Sequence, residues 1–302
     1  PFRSAAAVNP LDEVLLYPPS DPIRGIYPAK IQYYLKEQVD TVHIDLLDPN
    51  GVLIHSFSGF TPEYLPDPNI SRWMRGGSTV PTTAKGLNTF TWDLRYPGAT
   101  SFEGMIIWSA RPQRGPLAPL GNYQVKIRVG EVQKIENFEI KIDPNLEEIS
   151  ASDLQLQFDL AMQIRNQTSL ANEAVIQIRS IRNQLEALMK HQELSAINTA
   201  VQEIIQKTRR IEETLYQVKN QSNQDPLNFP IKLNNRLASL RRSVENGQAR
   251  PTDAAYVVFD ELKGALTQLL NQLDTLLSED MNRLNDAFMA KGFKAIEIKK
   301  AP

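Results

Sequence analysis

Thr89–Trp108, TFTWDLRYPGATSFEGMIIW, holds two of the three tryptophans of a 302-residue chain and changes character halfway along. In its first half Phe90, Trp92, Leu94 and Tyr96 fall on one parity, and Thr91, Asp93 and Arg95 on the other. That alternation predicts a half-buried strand. Pro97-Gly98 then breaks the pattern, and Met105-Ile106-Ile107-Trp108 comes after it as a second short apolar run. An aromatic segment with an Asp and an Arg suits a catalytic loop, a sugar platform or a piece of core. Trp92 shares its parity with Phe90 and Leu94, which favours packing.

Outward from this stretch, the chain is written in two patterns. Before about residue 145, short β-rich runs alternate with turns: Ala29–Leu35, Val39–Leu47, Val52–Phe57, Asn88–Tyr96, Met105–Trp108, Tyr123–Val129 and Phe138–Ile142. They predict a small antiparallel β-sandwich over residues 1–145, with a polar, Pro/Gly-rich loop over 61–85. Asp48-Pro49-Asn50-Gly51 predicts a type I turn with its Gly in the left-handed position. The resulting hairpin pairs Asp48 with Val52 and Leu46 with Ile54. Val42, Ile44, Leu46, Val52 and Ile54 then share one face, and His43, Asp45 and His55 the other.

From about residue 150 the period lengthens. Ser150 or Ser152 caps a helix whose apolar positions recur at Leu154, Ala161, Ile164, Ala171, Val175, Ile178, Leu185 and Met189, interrupted by Thr168 and Arg182. Further helices are expected over about Ala196–Lys219, Ile231–Glu245 and Pro251–Gly292, the last on Val258, Leu262, Ala265, Leu269, Leu273, Leu276, Leu284 and Phe288. Together they predict an elongated four-helix bundle over 150–292, its long helices about 60 Å at about 1.5 Å per residue. Residues 293–302 read as an extended tail that returns to the β half. The fold class is thus α+β, multidomain.

Hydrophobic content of 41% and charged content of 23% fit ordered globular structure. A formal net charge of −2 argues against a general nucleic-acid surface. The absence of cysteine excludes disulfides, thiol catalysis and Cys-ligated zinc. No apolar run approaches the length of a membrane span. The start at Pro1, with neither Met nor apolar leader, predicts a processed product or a fragment.

Candidate chemistry is sparse. His43, His55 and Asp45 lie close enough for a metal pair with a third ligand, or form a solvated strand face. Asp93 and Glu103 are candidate acid and base, although Asp93 shares a strand face with Arg95 and is expected to pair there. Trp73, Trp92, Trp108, Tyr64 and Tyr96 are candidates for sugar stacking. Trp73 has the best prospect of exposure, with Tyr64, Arg72 and Arg75 as accompanying ligand contacts. Gly76-Gly77 lacks the following Lys-Ser/Thr of a phosphate loop, and His191, the sole helical His, has no Glu-x-x-His partner. Arg209-Arg210 and Arg241-Arg242 read as solvated helix faces. Asn69, Asn166 and Asn220 open N-x-S/T acceptors. No residue set is assigned a catalytic, cofactor-binding or metal-binding role.

GLNTFTWDLRYPGATSFEGMIIW (Gly86–Trp108), RGPLAPLGNYQVKIRVG (Arg114–Gly130) and FEIKIDPN (Phe138–Asn145) resemble the C-terminal region of large secreted bacterial proteins. Their N-terminal part is a BNR-repeat propeller similar to that of sortilin (VPS10), and they are commonly labelled glycosyl hydrolases. YYLKEQVDTVHIDLLDPNGVLIHSF (Tyr33–Phe57) resembles an immunoglobulin-like module of the flagellar-hook-capping type, and Ser152–Leu188 fits the family's helical tail. WDLRYPGA and GPLAPLGNY carry most of the resemblance. No Asp-box repeat of a propeller occurs, so the hydrolase label reaches no residue of this chain. The resemblance implies a structural or protein-interaction module in a secreted, periplasmic or cell-surface protein. Its partner would be the propeller or another envelope protein. An accessory or carbohydrate-binding role beside a propeller site is the alternative.

Overall fold

A computed structural model describes residues 13–60, 80–189 and 197–298. The chain is mixed α/β, with antiparallel sheets followed by helices, and divides into two compact units. The first comprises residues 1–97, 116–158 and 248–250; the second comprises 98–115, 159–247 and 251–302.

The first unit carries β1 (Val14–Leu16), β2 (Ala29–Leu35), β3 (Thr41–Leu47), β4 (Leu53–Phe60), β5 (Gly86–Trp92), β8 (Gly121–Val129) and β9 (Val132–Ile140). One antiparallel sheet has the order β1-β2-β5, the other β4-β3-β8-β9. The alternation in β2 is decisive: Ala29, Ile31, Tyr33 and Leu35 are buried, while the residues between them are exposed or half-buried. Their side chains join Val42, Ile44, Leu46, Tyr123, Val125 and Ile127 in one apolar cluster. β1 has only three residues, too few for a period to show in sequence. β9 begins six residues before the expected Phe138, because its first six residues are only half-buried or exposed and show no apolar alternation.

The hairpin corrects its expected register. Gly51 has φ +77° and Asp48 N donates to Val52 O at 2.9 Å, as the turn chemistry requires. A bulge then intervenes: Leu47 faces Leu53, but Leu46 faces His55. Ile54 is the extra residue and remains buried, whereas Val52 is 60% exposed. Downstream the partner of Asp45 becomes Ser56 in place of His55.

Phe90, Trp92 and Leu94 are each 1% exposed, as their parity predicts. β5 nevertheless ends at Trp92, and Leu94 adopts φ +61°, rare for a branched residue. The kink is pinned by Trp92 Nε1 donating to Arg95 O at 2.9 Å and by Ala118 N donating to Leu94 O at 2.7 Å. Short strands β6 (Arg95–Pro97) and β7 (Arg114–Leu117) flank the next segment. Met105–Trp108, expected as a strand, forms none; it lies in an irregular excursion, Gly98–Gly115, that belongs to the helical unit.

Helices α1 (Ala151–Leu188), α2 (Asn198–Leu215), α3 (Leu233–Val244), α4 (Asp253–Thr275) and α5 (Met281–Ala290) make up the rest, with a π turn (Leu276–Asp280) joining the last two. Ser150 and Asp153 form a reciprocal cap, each side chain accepting from the other's backbone N–H at 3.1 Å. The Asp153 carboxyl is held below its ordinary pKa by the Ser150 hydroxyl, which donates to it at 2.6 Å, and by the Ser150 N–H. Leu154, Ala161, Ile164, Ala171, Val175, Ile178 and Leu185 are all buried.

On α4 the expected seam is partly misplaced. Val258 is 38% exposed and Ala265 is exposed, whereas Phe259 and Leu266 are buried. Phe259, Leu262, Leu266, Leu269, Leu273 and Leu276 keep a three-four alternation. Continued as plain α-helix, that alternation would bring Asp280 and Arg283 inward. The extra residue of the π turn rotates the helix, so that Met281, Leu284 and Phe288 are buried instead. The tail is also corrected: Ile296 is 5% exposed and packs with Phe288 and Leu185 of the helical unit, its N–H donating to Asn285 Oδ1 at 2.8 Å.

Candidate functional site

Several polar side chains buried in the helical unit converge on the Gly98–Gly115 excursion. An irregular segment has no strand or helix partner, so its N–H and C=O groups must be met by other means. Asn235, near the start of α3, meets Trp108 on both sides: Oδ1 accepts from Trp108 N at 2.7 Å, and Nδ2 donates to Trp108 O at 3.1 Å. Asn172 of α1 donates to Thr100 O at 2.7 Å and accepts from Asn234 Nδ2 at 2.9 Å. Arg165 donates to Gly98 O at 3.0 Å. Arg241 donates to the carbonyls of Arg111 and Arg114 at 2.9 and 2.6 Å, and also pairs with Glu245. At Gly98 a Cβ would lie 2.0 Å from Gln113 O, so this close approach admits only glycine.

Phe102 anchors the same excursion. Its ring meets Tyr216 edge-on at 5.0 Å, and the Arg179 guanidinium lies 4.7 Å above it. Tyr216 Oη accepts from Ile106 N at 3.0 Å. Arg179 is shared with Glu212, a carboxylate 1% exposed that also accepts from Arg182 at 2.5 Å. Arg182, which interrupts the apolar spacing of α1, is therefore the counter-ion of a buried acid. Thr168, the other interruption, donates its hydroxyl to Ile164 O at 2.9 Å.

The β unit spends its buried polar groups similarly. Arg24, 1% exposed, donates to Ala118 O at 2.8 Å and to Gln157 Oε1 at 3.0 Å. Tyr123 donates to Pro119 O at 3.0 Å. Burial raises the pKa of Tyr123, and pushes that of Tyr96 up to about 12.

The sequence-derived candidates disperse. Asp45 is buried and paired with Arg128 at 3.2 Å, and it accepts from Ser56 Oγ at 2.6 Å. His43 Nδ1 meets Ser58 Oγ at 2.8 Å, and His55 packs edge-on against Phe57. The bulge has thus separated His55 from Asp45, and no cluster of three or more potential metal ligands occurs among the described residues. Asp93 Oδ1 accepts from Arg95 N at 3.2 Å. Glu103 is exposed. Arg241 is 6% exposed, so the expected solvated face fails there, while Arg209, Arg210 and Arg242 are exposed. Trp73, Tyr64, Arg72, Arg75, Gly76-Gly77, Asn69 and His191 lie outside the described residues. Asn172, Asn234 and Asn235 were missed as anchors; asparagine in helices, where its propensity is poor, was their available signal.

Concavities of the helical unit include two open grooves beside α4, of about 560 Å3 toward α2 and about 470 Å3 toward α1. No described helix is long and apolar enough to cross a membrane.

No protein-family description matches this chain, and no curated protein does. Solved structures similar to part of it include a Ruminococcus gnavus beta-glucuronidase at 15% identity and TM-score 0.17, covering 42% of this chain and 16% of that one. A b-glucuronidase from Ruminococcus gnavus in complex with D-glucaro-d-lactam matches at 14% identity and TM-score 0.18, covering 51% and 25%. The chain thus spans a quarter or less of these enzymes, and likeness at that level carries no argument.

Proposed function

We propose that this chain is a non-catalytic structural and protein-docking module, the C-terminal part of a secreted or cell-envelope protein of the BNR, sortilin-like propeller type. In this reading the β unit is an immunoglobulin-like sandwich and the helical unit a four-helix bundle. The sheet orders β1-β2-β5 and β4-β3-β8-β9 suit such a sandwich, as does Tyr123 reaching back to Pro119 O. The propeller context rests on the WDLRYPGA and GPLAPLGNY motifs.

One observation carries the docking and structural reading. Arg24, Asn172, Glu212, Asn235 and Arg241 are buried and engaged with the chain's own backbone or counter-ions, an investment in shape. Catalysis requires titratable groups converging on a cleft, an arrangement these pairings do not serve. The test is to incubate the full chain with a polysaccharide panel and measure new reducing ends and retention on insoluble glycans. Neither is expected. Turnover abolished by one Asp or Glu substitution in a folded variant would refute the proposal. Retention lost on Trp73→Ala would replace it with carbohydrate binding.

A further inference from the structure

The two grooves beside α4 differ in charge. The groove toward α1 is lined by Glu173 and Asp274 among leucines and carries no cation. The groove toward α2 has an apolar floor of Ile211, Leu269 and Leu276. Its charges are Lys207, Arg210 and Asp280, and Lys207 is already held by Asp280 at 2.5 Å. The π turn puts Asp280 there by turning it away from the core. Arg210 is left as the uncompensated charge; its guanidinium has no hydrogen-bond or ion-pair partner among the described residues. The carboxamides of Asn271 and Gln272, on the facing wall, likewise have none.

We propose that the groove between α2 and α4 docks a peptide segment presenting an apolar side chain beside a carboxylate. This deepens the docking reading above and rests on it. Each part of such a segment meets its complement: the apolar side chain the Ile211–Leu276 floor, the carboxylate Arg210, and the peptide N–H and C=O groups the free carboxamides. A polyanion such as nucleic acid needs several converging cations, and of the two in this groove Lys207 is already paired with Asp280. The volume falls within the roughly 300–1,000 Å3 of ligand sites. Charge complementarity also fixes the side: Glu173 and Asp274 repel an acidic segment from the neighbouring groove.

The experiment uses the full chain and fluorescence anisotropy with three labelled short peptides. One is rich in Leu and Glu, the second has Lys for every Glu, and the third has Ser for every Leu. The Leu/Glu peptide is expected to bind, and the other two at least about tenfold more weakly, ~1.4 kcal/mol. Arg210→Glu should weaken the Leu/Glu peptide by at least about tenfold. Arg210→Ala should weaken it in the same direction, and Asp274→Asn should leave it unchanged. Melting midpoints equal to wild type for each variant keep a loss of binding from being a loss of fold. The proposal is overturned by Leu/Glu binding that is absent at millimolar peptide or unaltered by Arg210→Glu. Equal binding of the Lys peptide, or full displacement by inorganic phosphate, overturns it too. Polysaccharide turnover would sink the non-catalytic reading and leave the groove untouched, whereas failure here removes the groove alone.

Discussion

Thr89–Pro97 and Gly98–Trp108 are neighbours in the chain and similarly rich in aromatic and apolar residues, yet they are stabilised in opposite ways. The first is mostly regular backbone: β5 pairs along its length with β2, and its side chains are left free to fill the core. The second has irregular backbone, and Asn172, Asn235, Tyr216 and Arg165 supply the hydrogen bonds a sheet would have given. A regular segment is held through its own side chains, an irregular one through the side chains of others. That contrast locates the damage expected from substitution.

The strongest way to break it is at Trp92. Trp92→Ala should lower stability by about 3–5 kcal/mol in denaturant unfolding, the cost of truncating a buried aromatic. An unchanged midpoint would mean that the ring is not core and would revive the sugar platform.

Asn235 probes the other region at smaller cost. Asn235→Ala removes both partners of the Trp108 backbone and should cost about 1–3 kcal/mol. Asn235→Asp keeps the acceptor for Trp108 N and loses only the donor. Amide exchange at Trp108 should therefore quicken more in the Ala variant than in the Asp variant. Equal exchange in the two would deny that the carboxamide holds this peptide unit.

The smallest effect lies in alkaline solution. Tyr96 is pushed up to about 12 by burial, and Tyr123 is raised by the same cause. A raised folded pKa contributes stability that is fully present below the ordinary tyrosine value of about 10 and is lost as pH rises toward the folded value. The part of that loss owed to Tyr96 should be less than about 2 kcal/mol, since Tyr96 is only partly buried. Tyr96→Phe should flatten the loss, and a slope unchanged by that substitution would contradict it.

Much of the molecule was legible because side-chain period reports which face is buried. Ala29–Leu35 alternates and is a strand; Leu154–Leu185 recurs at helical spacing and is a buried seam. Period says nothing about which backbone groups lack regular partners. Met105–Trp108 therefore passed for a strand, since an apolar run fits either a strand or a plug. Arg241 passed for surface, since a charge that hydrogen-bonds distant carbonyls looks in sequence like any other. The bulge at Ile54 was illegible for a related reason: turn chemistry fixes the first pair of a hairpin, and one extra residue resets every pair beyond it. On α4 the apolar pattern admits Val258 and Ala265 as a seam as readily as Phe259 and Leu266, and nothing in it announces the π turn that re-phases the helix. Of the candidate ligand contacts, Trp73, Tyr64, Arg72 and Arg75 lie outside the described residues, and the groove at Arg210 unites helices far apart in sequence.

The excursion has a consequence in time. Gly98–Gly115 leaves the ribosome well before α3, yet Trp108 and Arg111 find their partners 127 and 130 residues later. During synthesis its amides and carbonyls must stay hydrated, and its Met105–Trp108 run exposed, until Asn235 and Arg241 emerge. Closing so long a loop places the event late, after the local helical turns have formed. A chain stopped before α3 would therefore carry a sticky, half-dressed segment, a natural client for a chaperone.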